Sequence, residues 1–107
     1  MPHYLIQASF SQSAASKLVE HPQRREEALR KTCQALGGKL IHFYFSFGDY
    51  DAMLLAELPN NKAAAALSLS AEAGGGTRRV HTTVLMTTDE AMEAMKLAQT
   101  DKYTPPA

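Results

Sequence analysis

The sequence has one cysteine, no tryptophan and no long apolar run. With Cys33 alone, no disulfide can form within the chain, which fits a reducing cytoplasm. No apolar stretch approaches the ~20 residues of a membrane span. The opening MPHYLIQASF lacks the basic and then long apolar segments of a signal peptide. We therefore expect a cytoplasmic protein without a membrane partner.

An excess of either charge is also missing, since 11 basic residues balance 11 acidic ones. This balance gives no electrostatic reason to expect nucleic acid as a partner. The length of 107 residues suits one domain, and 45% hydrophobic with 21% charged residues is an ordinary globular composition. A core of this size is modest, so association with other subunits would help to stabilise it.

Apolar alternation and cap signals predict the secondary structure. Proline costs ~3 kcal/mol inside a helix but is accepted in a first turn, so His21-Pro22 divides two helices. Gly37-Gly38 ends the second helix, and Thr87 with Glu90 has capping-box spacing. We predict strands at 4–10, 39–47, 50–58 and 78–86, and helices up to 20, from about 22 to 36, at 61–73 and at 88–99.

This order of elements is that of a ferredoxin-like α+β fold, βαββαβ with an added C-terminal helix. It predicts a four-stranded antiparallel sheet of order 4-1-3-2, with helices on one face. The domain is expected to span 1–99, with 100–107 as a flexible tail.

The second and third strands are separated only by Gly48-Asp49, which predicts a type II′ hairpin turn with Gly48, Asp49 and Tyr50 as turn residues. Phe47 would then face Tyr50, and the pairs below it would lie on the helix-covered face. The alternating phenylalanines are accordingly predicted to be core. The pairs expected below the turn are Phe45 with Ala52, Phe43 with Leu54, and Ile41 with Ala56.

The opposite face mixes apolar side chains with histidines and polar groups. A sheet face that is exposed to water would carry fewer Leu and Met residues. We therefore expect a second subunit to cover this face and to leave a cavity. Its predicted members are His3, Leu5, Gln7, Ser9, Leu40, His42, Tyr44, Ser46, Asp51, Met53, Leu55, Glu57, Arg79, His81, Thr83 and Leu85.

Candidate site residues come from this open face. Asp51 is either a general base, a partner that orients an imidazole, or a structural residue that binds backbone amides. His81 and Arg79 are expected at the same end of the sheet, an arrangement suited to a small anionic or carbonyl-bearing ligand. Tyr44 joins Asp51 and His81 as a possible catalytic residue. The predicted ligand-binding residues are Arg79, Gln7, Ser9 and His42.

We expect no metal and no cofactor. His3 and His42 would stand two strand spacings apart, ~9–10 Å, which is far for two ligands of one zinc ion. Cys33 lies on an apolar helical stripe and is predicted to be a buried, inert thiol. The glycines at 74–76 precede a strand, whereas a phosphate loop opens a helix, so they predict a flexible loop, with weak anion binding as the alternative.

The stretch FGDYD at 47–51 resembles the motif of the GYD domain family, small bacterial proteins. The opening MPHYLIQASFS, the central LGGKLIHFYFSFGDYDAMLLAELPNNKAAAAL and the late RRVHTTVLMTTDE are similar to the family as well. That family is grouped with the dimeric α/β barrels, so the resemblance implies this fold but no particular reaction. The glycine-rich turn before the last strand departs from the family pattern.

Together these observations predict a cytoplasmic homo-oligomer that binds a small ligand between subunits on its open face. One alternative is a cofactor-free enzyme, a small monooxygenase or isomerase, that uses Asp51, His81 and Tyr44. The other is a structural or regulatory oligomer without a ligand.

Overall fold

The structure is a computed structural model that describes residues 1–100 and 103–106. Within these residues, the strands and helices follow one another in the predicted order. The strands are β1 (His3–Phe10), β2 (Lys39–Phe45), β3 (Ala52–Glu57) and β4 (Thr77–Leu85), and the helices are α1 (Gln12–Glu20), α2 (Glu26–Ala35), α3 (Asn61–Ala73) and α4 (Thr88–Thr100).

The strands form one antiparallel sheet in the order β2-β3-β1-β4. This is the predicted order 4-1-3-2 read from the other edge, so the ferredoxin-like α+β fold is confirmed. Helix α2 packs on β2 and α3 packs on β4, both on the same face of the sheet. The other face remains open in the single chain.

Local caps define most helix ends. The Ser11 hydroxyl accepts a hydrogen bond from the Ala14 amide at the start of α1. At the end of α2 the Gly38 amide donates to the Cys33 carbonyl, and Gly37 takes the positive φ of 86° that a Schellman motif requires. The prediction that α2 begins near Pro22 is wrong. The helix begins at Glu26, where Glu26 and Glu27 place negative charge in the first turn.

The register of β2 against β3 shifts between Leu40 and His42, which corrects one predicted pair. Ala56 pairs with Leu40, not with Ile41. The extra residue moves Leu40 from its predicted place on the open face into the core, where it is buried. Beyond this bulge the predicted pairs Phe43–Leu54 and Phe45–Ala52 are confirmed.

The turn between β2 and β3 is also wider than predicted. Its last hydrogen bond runs from the Ser46 amide to the Asp51 carbonyl, so four residues rather than two form the loop. Gly48 does not adopt a positive φ, which a type II′ turn would require of it. Phe47 is therefore not paired with Tyr50 and is fully exposed at the tip.

The core lies between the sheet and helices α2 and α3. Phe43 packs against it as predicted, but Phe45 is about half-exposed because the helices do not extend over that end of the sheet. Val84 on the edge strand β4 and Met86 just beyond it are exposed as well. The buried apolar core consists of Tyr4, Ile6, Cys33, Leu40, Ala52, Leu54, Ala56, Leu58, Ala64 and Leu67.

The predicted C-terminal tail, 100–107, lies partly outside the described residues. Thr100 still belongs to α4, and 103–106 are exposed without helix or strand. None of the described helices is long and apolar enough to cross a membrane.

Candidate functional site

The loop that carries the Gly-Asp-Tyr-Asp sequence is fastened to the end of β1. The Ser9 hydroxyl donates to the Asp49 carbonyl at 3.0 Å, and the Asp51 amide donates to the Ala8 carbonyl at 2.9 Å. Within the loop, the Ser46 hydroxyl donates to the Tyr50 carbonyl at 2.7 Å. These bonds fix the loop, although a Cβ atom at Gly48 would meet nothing within 4 Å.

Asp51 has a structural bond of its own. Its Oδ2 accepts a hydrogen bond from the Phe10 amide at 2.8 Å. The register of β1 with β4 shifts between Ser9 and Phe10, so the carboxylate supplies an acceptor where the ladder is interrupted. This hydrogen bond supports the interpretation of Asp51 as a structural residue that binds a backbone amide.

A polar cluster stands beside this loop on the open face. The Arg79 guanidinium lies over the Tyr50 ring, with its carbon 4.9 Å from the ring centroid, a cation–π arrangement. The centroid of the His81 ring is 6.2 Å from that of the Tyr50 ring, with the two ring planes at 42°. Arg79 and His81 are both exposed, so the cluster offers a cation, an imidazole and a phenol to a ligand or a partner.

Two predicted ligand residues on β1 differ in how accessible they are. Gln7 is half-buried and pairs with Met53 on one side and His81 on the other, so it borders the cluster. Ser9 is 1% exposed and its hydroxyl is engaged with Asp49. Gln7 is therefore available to a ligand on the open face, whereas Ser9 supports the loop.

The predicted residues on β2 form a separate group. The His42 and Tyr44 rings are 6.1 Å apart, and both are exposed. Tyr44 shares a row across the sheet with Met53, Gln7 and His81. It is three strand spacings from His81, ~14 Å, so one chain does not bring these two side chains together.

A third group lies at the far end of the open face. The His3 Nε2 is 3.6 Å from Glu57 Oε1, and Lys39 Nζ is 3.5 Å from Glu57 Oε2. A partly exposed ion pair such as Lys39–Glu57 contributes ~0–1 kcal/mol. No group of three or more metal-binding side chains occurs among 1–100 and 103–106.

Cys33 is the buried residue of α2 and is part of the core. Burial raises the pKa of its thiol, and the nearby Arg30 guanidinium offsets this only in part. This arrangement fits an unreactive core thiol and provides no nucleophile for the open face.

Tyr50 is the site residue that the sequence alone did not identify. It was assigned to the turn, but the four-residue loop carries its ring over to Arg79 and His81. The only signal in the sequence that could have identified Tyr50 as a site residue was its position in the Gly-Asp-Tyr-Asp stretch.

The comparisons with known proteins agree with this architecture. The GYD domain family model matches residues 4–95, which include the sheet, the loop and most of α4. No curated protein matches the chain.

Two solved structures share the fold. The crystal structure of MtbAldR superposes with a TM-score of 0.61 at 14% identity and covers 80% of this chain. The chain spans about half of that protein, 53% of its length. A hypothetical protein from Pyrococcus horikoshii superposes with a TM-score of 0.51 at 12% identity, over 81% of this chain and 92% of that one. At these identities the likeness concerns the fold alone.

Proposed function

The chain belongs to the GYD domain family, and we propose that it works as a homo-oligomer that binds a small anionic or carbonyl-bearing ligand between subunits on the open face. The observation that carries this proposal is the Arg79–Tyr50–His81 cluster at one end of an uncovered, partly apolar sheet face.

The apolar part of that face supports the association. Leu5 and Leu55 are paired on neighbouring strands, and Met53 follows in the next row. All three are only half-buried, because helices α2 and α3 lie on the other face. Burying such a side chain contributes ~1.5–3 kcal/mol, so a second copy that covers the row would gain stability.

The polar end of the open face, with Arg79 and His81, supports the proposal that a ligand binds there. A guanidinium binds a carboxylate in a two-pronged geometry, and an imidazole N–H adds a second hydrogen-bond donor. In a single chain this cluster is open to water, which weakens its attraction for an anion. A partner sheet would exclude water from it and strengthen the attraction.

Binding is proposed here without a reaction. A general-base role for Asp51 would compete with the hydrogen bond that its Oδ2 accepts from Phe10. Tyr44 lies on β2, at the opposite edge of the sheet from His81 on β4. No observation on the described chain favours the enzyme alternative over ligand binding.

Light scattering tests the assembly. Leu55→Glu places a charge in the proposed interface and is expected to give a monomer at micromolar concentration. Leu69→Glu is the matched control, because Leu69 is 64% exposed on α3, away from the open face. A monomeric wild-type protein would overturn the assembly.

Calorimetry with pyruvate and oxalate as probes tests the ligand site. Arg79→Gln is expected to weaken binding about tenfold through the loss of a charge-assisted bond. Arg78→Gln, the exposed neighbour on β4, is the control and is expected to bind as wild type. Equal binding by both variants would show that Arg79 is not a ligand residue.

A further inference from the structure

A cavity lies on the covered face, away from the Arg79–Tyr50–His81 cluster. Helices α1 and α2 on one side and α3 on the other leave a cleft of about 630 Å³ over the central strands. This volume is in the range of small-molecule sites, ~300–1,000 Å³.

Alanines create this cleft. Ala8 and Ala52 are paired on β1 and β3 in its floor, and Ala28 of α2 and Ala71 of α3 stand in its walls. A larger side chain at any of these positions would project into the space, because native interiors are otherwise close-packed. The remaining floor is apolar and includes Leu54 and Phe43.

The charged residues around the cleft are all of one sign. Lys17, in the last turn of α1, and Arg25, directly before α2, line it, so both flank the connection between these helices. No Asp or Glu lines it within the part of the chain that the structure describes. Arg25 Nη1 donates only a long 3.3 Å hydrogen bond to Gln23, which leaves most of its guanidinium donors for a ligand.

We propose that this cleft binds an amphipathic organic anion, a carboxylate with a medium-length apolar chain. The apolar body would rest on the alanine-lined floor, and its carboxylate would meet Lys17 and Arg25. A purely apolar occupant would leave the two cations without a counter-charge, and a small inorganic anion would leave the apolar floor empty. This site is independent of the open-face cluster.

Calorimetry with decanoate, and with decanol as its uncharged counterpart, tests the proposal on the full chain. The double variant Lys17→Gln/Arg25→Gln is expected to weaken decanoate binding about tenfold or more while leaving decanol binding nearly unchanged. Arg24→Gln removes an adjacent exposed cation that does not line the cleft, and it is expected to bind decanoate as wild type.

A cleft-filling variant tests the location separately. Ala28 is exposed on α2, so Ala28→Leu is expected to fold with unchanged or higher thermal stability and to lose decanoate and decanol binding together. Arg79→Gln is expected to bind decanoate normally, which separates this site from the open face. Decanoate binding that Ala28→Leu leaves intact would overturn the proposal.

A fall in molecular mass on adding decanoate would also overturn it, because decanoate would then be displacing a second copy of the chain from the cleft. We expect the mass measured by light scattering to stay the same.

Discussion

Gly38 and Gly48 both stand next to a strand, but their surroundings differ. A Cβ atom on Gly38 would lie 1.9 Å from the Glu57 carbonyl oxygen and 2.9 Å from Leu58 Cδ2. A Cβ atom on Gly48 would meet nothing within 4 Å. Only the first glycine is therefore required by close packing, although the second belongs to the recognisable motif.

Gly38→Ala is expected to lower the free energy of unfolding by about 1–3 kcal/mol, since backbone atoms must move apart. Gly48→Ala is expected to stay within about 0.5 kcal/mol of wild type. Urea denaturation of both variants measures the difference. A larger loss for Gly48→Ala would mean that the loop has a tighter form than the one described.

Asp51 gives a second prediction at this scale. Asp51→Ala removes the acceptor of the Phe10 amide and is expected to lower the free energy of unfolding by about 1.5–3 kcal/mol. Asp51→Asn keeps an oxygen acceptor and is expected to lose less. Thermal unfolding gives the stability, and calorimetry with pyruvate gives the binding per folded molecule. Unchanged stability with lost binding would identify Asp51 as a ligand residue instead.

Helix α4 begins with a reciprocal pair of capping bonds. The Thr87 amide donates to Glu90 Oε1 at 3.0 Å, and the Glu90 amide donates to the Thr87 hydroxyl at 3.1 Å. The Thr87 backbone amide, followed by its side chain, lowers the pKa of the Glu90 carboxyl below its ordinary value of 4.5. The cap is therefore tied to the ionised form.

Because the pKa of Glu90 is lower in the folded helix, the unfolded chain binds more protons as pH falls below about 4.5. The contribution of the cap is present above that pH and is lost as pH falls through the lowered value. We expect the ¹³Cα shifts of residues 88–92 to move toward coil values over this interval. Glu90→Gln, which can cap without titrating, is expected to show a smaller change. Identical profiles would contradict the assignment.

The elements that the sequence predicted well are those whose ends depend on local chemistry. The bounds of α3 were predicted as observed, and those of α4 to within one residue, since Asn60 and the Thr87–Glu90 pair act within one turn. Alternation placed Arg79 and His81 on the same face of β4, and the antiparallel pairing of β4 with β1 placed them at the end that carries Ser9.

The features that were predicted wrongly depend on distant contacts. The bulge next to Ile41 and the four-residue loop have no local signature, and the loop is fixed by bonds to Ser9 and Phe10 some 40 residues earlier in the chain. Tyr50 reached the cluster only as a consequence of that loop. The cleft on the covered face could not be predicted, because it depends on how the helices are arranged in space. In the sequence, the alanines of these helices indicate only helix propensity.

The whole molecule is less compact than a typical domain of its length. Its radius of gyration is 17.0 Å, whereas a compact chain of this size has about 13 Å. Helix α4 accounts for this shape, because it buries no side chain and packs only slightly on the other elements. Met92, Met95 and Leu97 of α4 are exposed. A single chain thus leaves this helix as well as the open sheet face without cover.

An isolated helix of 13 residues is marginal in water, since nucleation is costly and packing supplies most helical stability. If a second copy covers α4, its helicity must depend on protein concentration, because association stabilises only the assembled state. We therefore expect the hydrogen-exchange protection of residues 88–100 to fall on dilution, while that of β1 and β3 persists longer. In Met95→Gln the loss of protection on dilution is expected to begin at a higher protein concentration than in wild type. Glu93→Gln, on the opposite side of the same helix, is expected to leave unchanged the protein concentration at which half of the protection is lost. Protection of α4 that is independent of concentration in all three proteins would mean that the helix is stable by itself, and the association would then rest on the open sheet face alone.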